Sequence, residues 1–205
     1  MVRFPSANTS IGSGSAVLEA RWDAPDEPMG VVVFCHPHPR YGGTMHAPLM
    51  YRVTRGLVEL GYAVLRFNFR GVGASTGTLG TGEVEDVDTA VTAARRFQPR
   101  VGVAGWSFGA LASLRWQDLE RDASPYVGIG LPTDMIEVPL HLPPAPRTLI
   151  IGDHDQFTTV DATRRFAAQI EAGVEVLPGS DHFFAFRHHR LVEIMDRTFA
   201  QRVDR

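Results

Sequence analysis

Four short stretches carry side chains that can do chemistry together. "GWSFGA" (105–110) sets Ser107 between two glycines, and "GDHDQF" (152–157) offers Asp153 and Asp155. "GSDHFF" (179–184) offers His182, and "CHPHPRYGGTM" (35–45) sets two histidines among prolines. A serine hydroxyl becomes an effective nucleophile when a base takes its proton, and an imidazole base works best when an acid holds its tautomer. Ser107, then Asp153 or Asp155, then His182 are a nucleophile, an acid and a base in a workable chain order. Asp155 lies two residues further into its loop and is the better placed to reach an imidazole. Asp153, at the immediate strand end, suits capping of the next turn.

The oxygen of an attacked carbonyl gathers negative charge and needs N–H donors aimed at it. Phe108, directly after the nucleophile, supplies one. The second should come from the loop after "VVVFC". Pro37 and Pro39 have no N–H, which makes His38 the best donor, with Arg40 or Tyr41 behind it. Tyr41, Met45, Trp106 and Phe183 are candidate substrate contacts, with Phe157 and Phe184 close in sequence to the acid and base. Their apolar surface suits an uncharged acyl group; Arg40 is a candidate partner for a substrate carboxylate but reads better as a solvated cation.

Two rival readings use the same residues. His36 and His38 form an H-x-H pair that, with "DHD" and His182, makes a set of nitrogen and oxygen metal ligands. That reading leaves the Gly-Trp-Ser-Phe-Gly corner without a role. A non-catalytic binding module would need neither Ser107 nor His182. The enzymatic reading calls for no metal and no cofactor.

The elements around these residues must bring them to one place. "MGVVVFC" (29–35) and "YAVLRFNF" (62–69) are continuous apolar runs of the kind buried on both faces of a parallel sheet. Further strands are expected at 100–104, 125–131, 147–151 and 174–177, with helices at 47–60, 83–97, 107–119, 158–171 and 183–202 between and after them. Thr81 is a candidate cap for the second helix, and Glu83, Glu85 and Asp86 suit the positive end of its dipole. The N-terminal "SAVLEARWDAP" (15–25) alternates apolar and polar residues, as a half-buried antiparallel strand does. Strand and helix alternate to the end, which predicts an α/β fold: an open, mostly parallel sheet of about eight strands with helices on both faces. The proline-rich segment 132–146 has no room for a cap domain, so residues 1–205 read as a single domain. Strand ends then gather all four stretches on one edge, where reactive groups collect in open α/β sheets.

Bulk properties narrow the setting. A chain of 205 residues can bury a full core, and its net charge of −3 gives no electrostatic reason for a nucleic-acid partner. One cysteine excludes an internal disulfide framework. The polar opening "MVRFPSANTSIGSG" is no signal peptide, and no run approaches the roughly 18 apolar residues of a membrane span. The expectation is a soluble cytoplasmic protein that acts on a small-molecule ester, without membrane or nucleic-acid partners. An edge strand or the apolar 183–186 segment offers a surface for a homodimer.

Taken together, "HPHPRYGGTM", "NFRGVGASTG", "GWSFGA", "GDHDQF" and "GSDHFF" resemble the α/β-hydrolase superfamily over nearly the whole chain. The likeness is nearest to the small, lidless bacterial serine hydrolases related to dienelactone hydrolase, in which an H-P-H-P loop with G-G-x-M follows the third strand. The resemblance implies the α/β-hydrolase fold, a triad of Ser107, Asp155 and His182, and no cofactor. It also implies that Arg70, in "NFRG", fixes a loop beside the site. True dienelactone hydrolases carry cysteine where this chain has Ser107. Its own Cys35 ends a buried strand and is expected to fill core. Carboxylesterase action on small acyl esters is the activity so implied, with thioesters, lactones and peptides as alternatives for the same triad.

Overall fold

A computed structural model of the chain describes residues 7–14 and 16–201. The polar opening 1–6, Ser15 and the expected helix end at 202 lie outside the described residues. The strands are β1 (Ala7–Ser13), β2 (Ala16–Asp23), β3 (Gly30–Cys35), β4 (Tyr62–Phe67), β5 (Val101–Trp106), β6 (Tyr126–Ile129), β7 (Arg147–Gly152) and β8 (Gly173–Leu177). Helices α1 (Pro48–Glu59), α2 (Glu83–Phe97), α3 (Phe108–Glu120), α4 (Val160–Gln169) and α5 (His188–Ala200) connect or follow them.

One sheet holds all eight strands in the order β1-β2-β4-β3-β5-β6-β7-β8. From β4 to β8 every pairing is parallel, and β1 and β2 add an antiparallel edge. The apolar runs explain the centre: every residue of β3, β4 and β5 is buried. Strand β1 was not legible, because "ANTSIGS" offers few apolar side chains and owes its place to a seven-pair ladder with β2.

Helices cover both faces. Leu49, Met50, Val53 and Leu57 of α1 pack with Leu191, Ile194 and Met195 of α5 against Val32, Phe34 and Val64 of the sheet. On the opposite face, α2 buries Val87, Ala90 and Val91, while Leu111 of α3 and Phe166 of α4 share an apolar cluster with Tyr126 and Leu149 of the sheet. After β3 the chain crosses to β4 on one side and later returns to β5 on the other. That reversal is a topological switch point, the place where open α/β sheets leave a crevice for ligands.

Two expectations need correction at element ends. Thr81 does not cap α2. Gly82 holds the cap position, and the Thr81 hydroxyl donates to the Thr78 carbonyl at 2.6 Å. The Arg70 guanidinium takes the Thr81 carbonyl and lies so near Gly82 that a Cβ there would be 2.0 Å from it. The last helix begins at His188, not 183, because residues 183–187 form turns with Phe184 and Phe186 at positive φ. Between β6 and β7 the only helical structure is a 3-10 turn, Thr133–Met135, so that connection builds no cap domain among the described residues. Among the described residues no helix is long and apolar enough to cross a membrane.

Candidate active site

Ser107 stands at the corner between β5 and α3 with φ 54° and ψ −114°. A non-glycine residue avoids that region, and holding it there costs about 1–3 kcal/mol. The corner is possible because its flanks carry no Cβ. One added at Gly105 would lie 2.3 Å from the Ala110 nitrogen, and one at Gly109 would lie 2.3 Å from the Cys35 carbonyl. The Ser107 N–H donates to the Ile129 carbonyl at 2.8 Å, which ties the corner to the end of β6.

Asp155 and His182 meet. The fully buried Asp155 carboxylate accepts from Nδ1 of His182 at 2.7 Å through Oδ2. Its Oδ1 accepts the N–H groups of Phe157 (2.8 Å) and Thr158 (3.2 Å), so the acid is oriented by its own loop. An ionised carboxylate has no proton to give, so Nδ1 carries the hydrogen and Nε2 keeps its lone pair. The rival, Asp153, is occupied elsewhere, accepting the Ser180 N–H at 3.3 Å.

The histidine is fixed by its backbone as well. Its N–H donates to Oε1 of Gln156 at 3.2 Å, and its carbonyl accepts the Trp106 indole N–H at 3.1 Å. The imidazole lies over Gly130, where a Cβ would be 2.9 Å from Cε1. His182 and Ser107 are therefore brought near each other through Trp106, next to Ser107, and through Gly130, next to the carbonyl that holds the Ser107 N–H. The hydroxyl itself makes no hydrogen bond among the described residues. No bond between Ser107 and His182 is seen among the described residues, and catalytic contacts of this kind are often long until substrate binds.

Of the donors weighed for the oxyanion, two are uncommitted. The Arg40 N–H goes to Nδ1 of His38 at 3.1 Å and the Tyr41 N–H to the His38 carbonyl at 3.0 Å. The N–H groups of His38 and Phe108 have no partner among the described residues. Their side chains stack edge to face with ring centroids 5.0 Å apart, which couples the loop after β3 to the first turn of α3.

That loop stands on polar supports that the sequence reading did not assign. Asn68 accepts the Met45 N–H at 2.8 Å and donates to Glu19 at 2.7 Å. Buried Arg66 donates to the Met45 carbonyl and pairs with Asp23 at 2.6 Å. A charged residue inside an otherwise apolar strand run was the available signal, since a buried cation needs a partner. These bonds draw Met45 to zero exposure, so it is core and not a substrate contact. Trp106 is mostly core too, at 7 % exposure, with one edge at the surface. Tyr41 and Phe183 are exposed. Tyr41 reaches Phe157 at 6.1 Å, and Phe157 packs on the His182 ring at 4.5 Å.

His36 serves structure. Its Nδ1 donates to the Pro37 carbonyl at 2.7 Å and its Nε2 accepts the Phe69 N–H at 3.1 Å, so both nitrogens are engaged. Burial pushes its pKa down to about 4. A metal would have to break one of these bonds to use it. Arg70 is bound on every side, to Asp86 at 2.7 Å, to Glu85 at 3.1 Å and to the Thr81 carbonyl, and it clamps its loop to α2. Cys35 is fully buried, and that burial pushes its thiol pKa upward, far from thiolate chemistry.

A family model described as serine aminopeptidase, S33, matches residues 26–145, a span that holds His38, Ser107 and Phe108 and ends ahead of Asp155 and His182. An uncharacterized protein of Rickettsia prowazekii (strain Madrid E), RP471, is 30% identical over 184 residues, covering 82% of this chain and 76% of that protein. XC6422 from Xanthomonas campestris, described as an α/β serine hydrolase without lid, superposes with a TM-score of 0.83 at 29% identity, over 95% of this chain and 94% of its own. An α/β serine hydrolase homologue from Coxiella burnetii gives 0.83 at 30% identity, over 98% and 100%. By these matches and by its sheet, the chain belongs to the serine aminopeptidase S33 family of α/β serine hydrolases, in its lidless form.

Proposed function

We propose that the protein is a carboxylesterase that hydrolyses small acyl esters through an acyl-enzyme on Ser107. His182 Nε2 takes the Ser107 proton as Oγ bonds to the ester carbonyl carbon. The oxyanion is held by the N–H groups of His38 and Phe108, and Asp155 stabilises the imidazolium. On collapse the alkoxide leaves and receives that proton as the free alcohol. His182 then deprotonates a water that attacks the acyl-enzyme, and the acid is released with Ser107 restored.

The observation that carries this reading is the 2.7 Å bond from His182 Nδ1 to the buried Asp155 carboxylate. It leaves Nε2 as the basic nitrogen, on a histidine anchored by the residue before the nucleophile. The open strand ends favour short acyl groups over long lipids.

Turnover of p-nitrophenyl acetate by the wild type and by Ser107→Ala tests it. A loss of about six orders of magnitude in kcat is expected, with loss of fluorophosphonate labelling. Near-normal turnover by the purified variant, or inhibition by a chelator with no labelling, would overturn the reading.

A further inference from the structure

His182 is followed by a turn under strain. Phe184 (φ 52°) and Phe186 (φ 60°) both occupy the left-handed region that bulky side chains avoid. Such conformations persist where the surroundings impose them, and they cluster at functional sites. Here the turn buries Phe184 completely and leaves Phe183 48 % and Phe186 79 % exposed. Two large rings are thus held in water after the candidate base, the Phe183 ring 5.9 Å from its imidazole.

Between this turn and the start of α1 lies a groove of about 300 Å³. Pro48, Leu49, Trp106, Phe183 and Phe186 form its apolar walls, and Arg52 and His188 supply its polar side chains. Two of its wall residues are chain neighbours of the reacting groups: Trp106 precedes Ser107 and donates its indole N–H to the His182 carbonyl, and the Phe183 ring lies 5.9 Å from that of His182. Arg52 makes no hydrogen bond or ion pair among the described residues, whereas Arg55, one turn along α1, faces Glu59 at 3.4 Å. Nδ1 of His188 is shut off from solvent and has no partner among the described residues. The volume suits a chain of modest length, at the lower end of ligand pockets.

We propose that this groove receives the acyl chain of the substrate and that Arg52 holds an anionic terminus on it, such as the free carboxylate of a dicarboxylic half-ester. The inference rests on the serine-esterase reading above. It departs from the uncharged acyl group expected from the aromatic residues alone, because Arg52 lines the apolar groove with no hydrogen bond or ion pair among the described residues.

The test compares kcat/KM for p-nitrophenyl acetate, p-nitrophenyl hexanoate and the mono-p-nitrophenyl ester of adipic acid, which matches hexanoate in length. Hexanoate should exceed acetate by roughly tenfold, the effect of burying about two methylenes. The adipate half-ester should exceed hexanoate by roughly fivefold at low salt, a margin that shrinks as ionic strength rises. Arg52→Gln should bring the half-ester to hexanoate ratio to about one, Arg52→Lys should keep part of it, and Phe183→Ala should lower the hexanoate to acetate ratio. If acetate is turned over and Ser107 is labelled, yet the half-ester shows no advantage or its advantage survives Arg52→Gln, the groove assignment falls and the esterase reading stands. If the folded protein hydrolyses none of the three esters, the esterase reading itself falls.

Discussion

Ser107 is held in a conformation that its own backbone disfavours, and the residue before it anchors His182. Its N–H is taken at the end of β6, and its neighbour Trp106 takes the histidine carbonyl. In the proposed mechanism Asp155 acts by accepting the Nδ1–H hydrogen bond of His182, without taking the proton. Asp155→Asn would present an amide to Nδ1, invert the tautomer and remove the lone pair from Nε2. A fall of about 10⁴ in kcat is expected with KM little changed, measured on a short ester under saturating conditions. The oxyanion assignment turns on a backbone atom, so two substitutions at one position separate it from the side chain. His38→Pro removes the N–H and should cost about 10²–10³ in kcat, whereas His38→Ala keeps it and should cost under about tenfold. Equal losses in the two variants, with unfolding midpoints matched, would point to the imidazole instead. Sequence could rank Asp155 above Asp153 and His38 above Arg40 by loop position and by proline chemistry. What it could not show is that Asp153, Arg40 and Tyr41 have their polar groups engaged by other partners.

At the scale of elements, the site is a junction of loops, each fastened by a buried polar contact. Arg70 joins the loop after β4 to α2 through Asp86, a pair almost wholly removed from water. Breaking such a pair leaves the other charge uncompensated. Arg70→Met is expected to lower stability by about 3–5 kcal/mol, and Arg70→Met combined with Asp86→Leu should recover most of that loss. Urea unfolding of the wild type, both single variants and the double variant measures the coupling, and simple additivity would deny it. Elements made of continuous apolar runs were legible because their burial does not depend on partners. β1 and the start of α5 were not. The ladder that orders β1 is supplied by β2, and "HFFAF" has helical composition but is bent into turns by packing of Phe184 in the core. The Thr81 cap failed for a like reason, since the guanidinium of Arg70, from the start of the same loop, occupies that end of α2.

Across the whole molecule, one buried group links stability to pH. His36 titrates near the usual 6.5 when unfolded, and burial lowers its folded value to about 4. Between these values the unfolded chain binds the extra proton. The stabilisation is therefore complete above the unfolded value and is lost as pH falls, by about 3 kcal/mol at pH 4. Urea midpoints near pH 7 and near pH 4 should show that slope in the wild type and a much flatter one in His36→Gln. A wild type whose midpoint does not fall over this range would contradict it. The amino-acid order by itself determined that β-branched runs would lie inside a parallel sheet, and that a glycine-flanked serine would turn sharply from strand to helix. Those outcomes follow from side-chain burial and from the absence of Cβ atoms, both local properties. Only the tertiary structure decided that Asp155 and His182 meet and that Met45 is sealed into the core. It alone set Arg52, with no ion pair among the described residues, on an apolar groove. Such facts depend on which distant groups compete for the same hydrogen bonds, and that competition exists only once the chain has folded.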